Sequence, residues 1–324
     1  MATEPVTTPA SRAAGEGGVD ITALVPVYNE AENVKPLLEK LTADLRALGR
    51  SYEILVVDDG STDGTLEALL ALRASIPHLR AVSFRRNYGK SAALSVGFRE
   101  ARGRFIVTMD GDLQDDSAEI GPLLRKVDEG YDLVSGWKQK RKDPVMKTIP
   151  SKLFNAVTSS MTGVRLHDMN CGLKAYRAEV AKSVTLRGEL HRFIPVLAHW
   201  NGYRIGEIRT VHHPRLHGQT KFGASRFVNG FLDLLAVMFL TTSSRRPLHL
   251  FGRVGLGMAL VGAAVTAWFT FPWLLGHGIR LRPALLFGAV LVILGFQFVS
   301  MGFLGEMIAA QRVHDVDYTI RERF

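Results

Sequence analysis

The segment MDGDLQDD, residues 109–116, places four aspartates within seven positions. Carboxylates this close repel one another, and the repulsion costs stability unless a cation balances it. Asp110, Asp112 and Gln114 supply hard oxygen atoms in an i, i+2, i+4 pattern, which can converge on a divalent cation. The segment therefore predicts a site for Mg²⁺ or Mn²⁺, and an ion held there could also bind a diphosphate.

The last two aspartates of the segment have a different explanation. Asp115 and Asp116 precede a helical pattern, and carboxylates in the first turn of a helix interact favourably with its positive end. We therefore expect these two residues to stabilise the first turn of that helix. Capping by all four aspartates is the alternative to a metal site.

Residues 20–220 must provide the elements that position this segment, and they alternate strand-like and helix-like patterns. This alternation predicts an α/β fold, in which helices cover a mostly parallel sheet. Buried strands are predicted at 21–27, 52–57, 81–84 and 105–109, and helices at 30–48, 63–73 and 90–101.

A polar cluster follows each predicted strand: Tyr28–Glu30, Asp58–Gly64, Arg85–Lys90 and Asp110–Asp112. Parallel strands place their carboxyl ends at one edge of the sheet, where open sheets bind ligands. We therefore expect the four clusters to form one site. Separate turns and helix caps are the alternative.

Composition limits the partners and the compartment. The net charge of +9 favours an anionic partner, such as nucleic acid, a phosphorylated metabolite or a membrane surface. The single cysteine, Cys171, fits a reducing compartment, and we expect a buried thiol. Residues 1–19 are small, polar and rich in Gly and Pro, without an apolar core of signal-peptide length, so we expect a disordered tail.

Two uncharged runs, 254–275 and 283–305, are each long enough to cross a hydrocarbon core of about 30 Å as a helix. Buried helices of a soluble domain are the alternative, but such helices normally show a polar face. We predict a two-helix transmembrane hairpin at 248–308. The N-terminal domain and a tail at 309–324 are expected in the cytosol.

Within the juxtamembrane segment 226–247, the stretch 227–242 is apolar but interrupted by Asp233. It is too short to span a bilayer, and we predict an interfacial helix along the membrane. A core helix of the soluble domain is the alternative.

The motifs VPVYNE (25–30), VVDDGSTDGT (56–65), RRNYGKSAAL (85–94) and MDGDLQDD together resemble the family-two glycosyltransferases of the GT-A fold. The chain is most similar to the dolichol-phosphate mannose synthase-like, or bacterial polyprenyl-phosphate glycosyltransferase, branch. The resemblance implies a GT-A catalytic domain at 20–225, which transfers a sugar from a UDP- or GDP-sugar to a polyprenyl phosphate with inversion. It also implies a multi-pass protein of the inner membrane, with the catalytic domain in the cytosol. Nucleic acid is not an expected partner, and a homo-oligomer stays open.

The resemblance also implies roles for individual residues. Asp110, Asp112 and Asp168 would be catalytic, and Asp110, Asp112 and Gln114 would bind the metal. The residues implied to bind the donor are Pro26, Tyr28, Glu30, Val57, Asp58, Asp59, Lys90, Gly111, Arg215 and Lys221.

Two later segments extend these expectations. The basic stretch 136–155 would attract anionic headgroups, and the resemblance implies that Lys138, Lys147 and Ser151 bind the acceptor phosphate. A solvated basic surface is the alternative. The segment 212–222 resembles the family's mobile active-site loop, which would carry Arg215 and Lys221 to the donor phosphates; a flexible surface loop is the alternative. Its three histidines lack the spacing of a zinc site.

Asp168 aligns with the position where many family-two enzymes keep an acidic base. A sugar hydroxyl needs a base to remove its proton, but a phosphate monoester with a second pKa near 6 is mostly a dianion at pH 7. Asp168 could therefore orient the sugar or neighbouring cations, or it could be purely structural.

Two other functions stay open. A processive polysaccharide synthase needs more membrane spans and usually a Gln-x-x-Arg-Trp motif, which this sequence lacks. The second is a catalytically inactive nucleotide-sugar-binding membrane scaffold, against which the intact Asp-x-Asp argues.

Overall fold

The computed structural model describes residues 18–138, 159, 162–186, 188–214, 247–276 and 283–311. The chain divides into two compact units, Met1–Gly230 and Phe231–Phe324. The boundaries predicted from the sequence for the tail, the catalytic domain and the membrane segments remain predictions.

The first unit contains a seven-stranded sheet in the order β3-β2-β1-β4-β6-β5-β7. Its strands are β1 (Ile21–Val27), β2 (Tyr52–Asp58), β3 (Leu79–Ser83), β4 (Phe105–Thr108), β5 (Leu133–Lys138), β6 (Lys174–Arg177) and β7 (Ile205–Thr210). Its α-helices are α1 (Ala31–Ala47), α2 (Thr65–Arg73), α3 (Lys90–Glu100), α4 (Ile120–Asp128), α5 (Ala178–Ser183) and α6 (Ile194–Trp200). The predicted α/β fold with a mostly parallel sheet is confirmed, and the four predicted strands and three predicted helices lie within about two residues of the observed ones.

The strands with continuous apolar runs form the centre of the sheet because both of their faces are covered. Strand β1 pairs in parallel with β2 on one side and with β4 on the other. Val27 lies opposite Asp58, and Asp58 lies opposite Ser83, so the first three strands end at the same edge. Helix α1 buries Leu37, Leu41 and other apolar residues of one face in the core, as its helical spacing predicts.

Strand β6 is the antiparallel member of the sheet, and the sequence did not predict it. It pairs with β4 and with β5, with Thr108 opposite Lys174. Because β6 runs in the opposite direction, its first residues lie at the edge where β4 ends. Strands β5 and β7 are parallel to each other and finish at this edge too. The ends of β1, β2, β3, β5 and β7 and the start of β6 therefore lie at the same edge of the sheet as the acidic turn after β4.

In the second unit, α7 (Pro247–Leu274) and α8 (Pro283–Gln311) are long and apolar enough to cross a membrane, over Pro247–Phe271 and Pro283–Ile308. The helices pack through glycines. A Cβ at Gly255 would lie 2.6 Å from the carbonyl oxygen of Gly295, and a Cβ at Gly262 would lie 2.6 Å from that of Gly288. Small residues allow this close approach of two backbones, which is typical of membrane helices. The interfacial helix predicted at 226–247 lies outside the described residues, apart from Pro247.

Candidate active site

The loops after β1 and β2 are joined by hydrogen bonds. Asn29 adopts φ +56°, donates its backbone N–H to Ser61 Oγ (2.8 Å), and accepts the N–H of Thr62 on its side-chain oxygen (2.9 Å). Thr65 Oγ1 accepts the N–H of Glu30 at 2.9 Å. These hydrogen bonds place Tyr28, which is about a third exposed, and Glu30 at the sheet edge, where their predicted role in binding the nucleotide-sugar donor requires them. The role itself remains a prediction.

Asp58 and Asp59 are buried at the end of β2, and both carboxylates accept two hydrogen bonds. Asp58 accepts from the N–H of Ser61 (3.0 Å) and from Ser83 Oγ (2.7 Å). Asp59 accepts from the N–H groups of Tyr88 (2.7 Å) and Gly89 (2.8 Å), and so it ties the end of β2 to the loop before α3. Val57 is fully buried, so only its backbone could reach a nucleotide.

Asp110 lies between a cation and a glycine. Lys90, the first residue of α3, forms an ion pair with its carboxylate, and both side chains are about a third exposed. On another side, Gly172 approaches so closely that an added Cβ would lie 2.6 Å from Cγ and from both oxygens of Asp110. Pro26, Lys90, Asp110 and Gly172 line one narrow cleft, which has about 10 Å³ of room, about one water molecule.

Two side chains hold the backbone at Gly172. Thr108 Oγ1 donates to the carbonyl of Gly172 at 2.9 Å, and the ammonium of Lys174 donates to the carbonyl of Cys171. Lys174 is buried in the sheet beneath the site, and this burial lowers its pKa. No role for Gly172, Thr108 or Lys174 was predicted from the sequence, although Gly172 lies only four residues after Asp168. The predicted burial of the Cys171 thiol is confirmed, and burial raises its pKa to about 12.

The acidic turn itself contains a strained residue. Leu113 adopts φ +59°, a conformation that costs a residue with a Cβ about 1–2 kcal/mol. Asp112 Oδ1 accepts the N–H of Gln114 at 3.3 Å, and Gly111 packs on the end of β1, where an added Cβ would lie 2.8 Å from Val27 Cγ1. Strain of this kind persists at ligand-binding turns where the surrounding structure enforces it.

The ligand set of this turn suits a hard cation that is shared with a substrate. No cluster of three or more His, Cys, Asp or Glu with metal-binding geometry occurs among the described residues. Two carboxylates and an amide oxygen are nevertheless enough for Mg²⁺ or Mn²⁺, because such ions commonly complete their coordination with substrate phosphates and water. The ion pair with Lys90 shows that a positive charge is accommodated at Asp110. The residues present therefore fit the implied metal.

Asp115 and Asp116 differ from each other. Asp116 caps the short 3₁₀ helix Ser117–Glu119 by accepting the N–H of Ala118 at 3.1 Å, as predicted. Burial would raise its pKa, but hydrogen bonds from Lys40 (2.6 Å) and His213 (3.1 Å) lower it to about 2. The same prediction for Asp115 was wrong, because Asp115 is buried and pairs with Lys138 at 2.9 Å.

The pair of Asp115 with Lys138 is the buried charge pair of the site. Burial opposes both charges, but His212 and the ammonium of Lys138 together hold the pKa of Asp115 well below its usual range. His212 Nδ1 lies 3.7 Å from Asp115 Oδ1. Burial likewise opposes the charge of Lys138, whereas Asp115 raises the pKa of Lys138 well above its ordinary value. Lys138 therefore stays a cation at neutral pH, but its ammonium is already paired with Asp115, and its contact with the acceptor phosphate stays a prediction.

The chain beyond β7 is paired with the acidic turn. His212 and Asp115 form an antiparallel bridge, and the N–H of His213 donates to the carbonyl of Gln114 at 2.8 Å. The first two residues of the predicted active-site loop are thus anchored at Asp115 and at Gln114, a predicted metal ligand. Arg215, Lys221, Lys147 and Ser151 lie outside the described residues, and their roles stay predictions.

Asp168 is buried near the amino end of β6. Its N–H and that of His167 donate to Glu207 Oε1 on β7, at 3.1 and 2.9 Å, and its own Oδ1 accepts the N–H of Asn170 at 3.2 Å. The imidazole of His167 stacks on Trp137 with ring centroids 4.0 Å apart. These contacts hold Asp168 in place at the edge that carries Asp110.

This combination of an α/β sheet and an acidic turn at its carboxyl edge is that of a GT-A glycosyltransferase, and comparisons with known proteins agree. The model of the family described as "Glycosyl transferase family 2" matches residues 22–185. A crystal structure of glucosyl-3-phosphoglycerate synthase from Mycobacterium tuberculosis, in complex with Mn²⁺ and UDP-glucose, superimposes with a TM-score of 0.53. It is 19% identical and covers 68% of this chain and 79% of that chain. The expected GT-A fold is confirmed.

Two curated relatives match nearly the whole chain. Dodecaprenyl-phosphate galacturonate synthase of Rhizobium johnstonii is 40% identical, over 94% of this chain and 93% of the relative. Undecaprenyl-phosphate 4-deoxy-4-formamido-L-arabinose transferase of Pseudomonas paraeruginosa is 36% identical, over 94% of this chain and 88% of the relative. The chain belongs to glycosyl transferase family 2, and the resemblance to its polyprenyl-phosphate branch is confirmed.

Proposed function

We propose that this enzyme transfers a sugar from a nucleotide-sugar donor to a polyprenyl phosphate at the cytosolic face of the inner membrane. The observation that carries the proposal is the extent of the similarity. Relatives named as polyprenyl-phosphate sugar transferases match 94% of the chain, which includes both apolar helices as well as the catalytic fold. A lipid acceptor explains why these two parts occur in one chain.

On the donor side, Asp110, Asp112 and Gln114 would hold Mg²⁺ or Mn²⁺, as the Mn²⁺ complex of the mycobacterial enzyme suggests. When bound, the ion supplies Lewis-acid stabilisation of the departing nucleoside diphosphate. Lys90 adds a positive charge beside Asp110 and can contact a donor phosphate. Tyr28, Glu30 and the loop after β2 surround the proposed nucleotide position.

On the acceptor side, Lys138 would contact the phosphate while Asp115 holds its ammonium in place. Lys147 and Ser151 would complete the contacts to the phosphate. An oxygen of the dianionic acceptor forms the bond to the anomeric carbon as the bond from that carbon to the donor diphosphate breaks, with inversion. No proton has to be removed, so Asp168 acts by position and charge. Positioning the two substrates and neutralising their negative charges would provide most of the rate enhancement.

The test uses the full chain in isolated membranes or nanodiscs, with a panel of UDP- and GDP-sugars that includes galacturonate donors. Polyprenyl phosphate serves as the acceptor, and mass spectrometry measures the lipid product. We expect a polyprenyl-phosphate sugar that forms only when Mg²⁺ or Mn²⁺ is present. Release of nucleoside diphosphate without a lipid product, or no turnover with any donor, would contradict the proposal.

A single substitution tests the role of the acidic turn. Asp112→Ala should abolish transfer, while the protein remains folded and in the membrane. The matched control is Asp128→Ala, which removes a half-exposed surface aspartate at the end of α4 and should leave turnover unchanged. Near-normal turnover of Asp112→Ala would remove the metal from the mechanism.

A further inference from the structure

Helix α8 has a glycine face that contacts α7. Gly288, Gly295 and Gly302 recur every seven residues, and a Cβ at any of them would lie within about 3.1 Å of α7 atoms. This face is therefore fully used inside the hairpin. At 100° per residue, the opposite face of α8 begins two residues after each glycine.

That opposite face carries a second regular stripe. Its six residues follow a 4-3-4-3-4 spacing, which is the heptad spacing of helices that pack side by side. All of them are exposed, and four of them form the rim of a shallow groove of about 500 Å³ together with Phe296 and Met301. The stripe consists of Leu286, Val290, Ile293, Gln297, Ser300 and Leu304.

Gln297 lies at the centre of this stripe and at the midpoint of the helix Pro283–Gln311. Its side chain is exposed and makes no hydrogen bond to the residues that the structure describes. In a membrane span this amide would lie near the middle of the hydrocarbon, where an unsatisfied polar group costs free energy. The two threonines of α7 behave differently: Thr266 and Thr270 donate to backbone carbonyls of their own helix at 2.8 Å.

We propose that two or more copies of this chain associate through the stripe on α8, with the Gln297 amides hydrogen-bonded to each other across the interface. The inference rests on the proposed membrane location of α7 and α8, but not on the proposed reaction.

A second copy suits this face for two reasons. An amide is both donor and acceptor, so Gln297 is complementary to itself when copies with the same membrane orientation meet around a symmetry axis. The heptad spacing covers five intervals in all, three before Gln297 and two after it, as helix–helix packing requires. A polar residue at one such position sets the register and the number of helices. A lipid tail could cover the apolar members of the stripe but could not satisfy the amide.

Cysteine crosslinking in native membranes tests the interface. The natural Cys171 is buried and its pKa is raised to about 12, so the unmodified chain serves as the unreactive background. Ser300→Cys keeps the side-chain size and lies one turn from Gln297. Val261→Cys is the matched control, since Val261 is exposed near the midpoint of α7. We expect oxidation to link Ser300→Cys chains into dimers, and Val261→Cys to stay monomeric.

A second comparison tests the contribution of the Gln297 amide by itself. Gln297→Leu in the Ser300→Cys chain should reduce association between copies about 3-fold to 30-fold, the range of membrane hydrogen bonds between helices. Phe303→Leu is its control, because Phe303 is exposed on α8 but lies off the stripe. Equal crosslinking of the Ser300→Cys and Val261→Cys chains would overturn the interface. Equal crosslinking after Gln297→Leu and Phe303→Leu would overturn the role of the amide.

A failure of the proposed interface can be distinguished from a failure of the proposed function. Carbonate extraction and the transfer assay are run on the same membranes. A membrane-integrated, active protein that fails to crosslink through residue 300 refutes only the interface. A protein that carbonate extracts from the membrane refutes the membrane location on which both proposals rest, and crosslinking without transfer leaves the interface intact.

Discussion

The substitution Gly172→Ala tests whether the position of Asp110 controls the reaction. An added Cβ would lie 2.6 Å from Cγ and both oxygens of Asp110, whereas an ordinary Cβ contact begins at about 3.4 Å, so the carboxylate must shift by about 0.8 Å. The backbone at Gly172 does not require a positive φ, so alanine causes no backbone strain there. The carboxylate is the group that can move, because it lies at the end of a partly exposed side chain.

The fold should survive this change. The two hydrogen bonds that hold the segment, from Thr108 to the Gly172 carbonyl and from Lys174 to the Cys171 carbonyl, involve backbone oxygens that alanine retains. A misplacement of about 1 Å in an active site can cost about 10²-fold in rate. We therefore expect kcat to fall on the order of 10²-fold, equivalent to about 2.7 kcal/mol of barrier, and the Mn²⁺ concentration for half-maximal activity to rise.

The assay measures kcat, the Mn²⁺ dependence and the unfolding temperature of the purified protein in nanodiscs. Gly257→Ala is the control, because an added Cβ there meets nothing within 4 Å. It should leave kcat unchanged. If Gly172→Ala retained kcat within about twofold, with the same metal dependence, the claim that the placement of Asp110 limits the reaction would be refuted.

Three further predictions concern stability. Asp115→Ala should destabilise the catalytic unit by about 3–5 kcal/mol, because it leaves Lys138 buried without its partner. The double change Asp115→Leu with Lys138→Met should recover most of that loss, as measured by thermal unfolding. A double variant that is no more stable than Asp115→Ala would contradict the pairing. Asp115 and Asp116 have folded-state pKa values below the unfolded value of about 3.9, so their stabilisation is present above about pH 4 and is lost as the pH falls towards the folded value, about 2 for Asp116. The urea midpoint should therefore drop between pH 5 and pH 2.5, and by less in Asp116→Asn. Gly295→Val should disrupt the packing of α7 on α8, where even a Cβ would lie 2.6 Å from the carbonyl oxygen of Gly255, whereas Gly257→Val should not; equal unfolding temperatures would refute this packing.

Strands β1 to β4 could be predicted from the sequence, whereas β5, β7 and the antiparallel β6 were not predicted. Strands β1, β2 and β4 are buried on both faces and are therefore continuous apolar runs. Strand β6 is only four residues, KAYR, and begins with a buried lysine, so no hydrophobic pattern marks it. Yet this reversed strand is what brings Gly172 against Asp110. The sequence therefore predicted the acidic turn but not the segment that packs against it.

The pairing of Asp115 was unpredictable for a related reason. Local spacing favours a helix cap at both Asp115 and Asp116, and it is right for Asp116, whose partner Ala118 is two residues away. Lys138 lies on a different strand, and only the path of the sheet brings it to Asp115. Contacts within one turn can be inferred from residue types, whereas an ion pair between distant segments depends on the tertiary fold.

Lysine side chains offset much of the electrostatic repulsion among the aspartates of the acidic segment 109–116. Three of its aspartates contact a lysine, each from a different element: Asp110 with Lys90 of α3, Asp115 with Lys138 of β5, and Asp116 with Lys40 of α1. These pairs differ in exposure. The side chains of Asp115 and Lys138 are 2% and 12% exposed, so that pair is fixed, whereas those of Asp110 and Lys90 are 33% and 34% exposed. Lys90 can therefore exchange Asp110 for a donor phosphate at little cost, because water screens an ion pair at that exposure. The repulsion alone therefore does not require a metal ion; a metal is favoured because Asp110, a predicted ligand, is paired with a lysine that can leave.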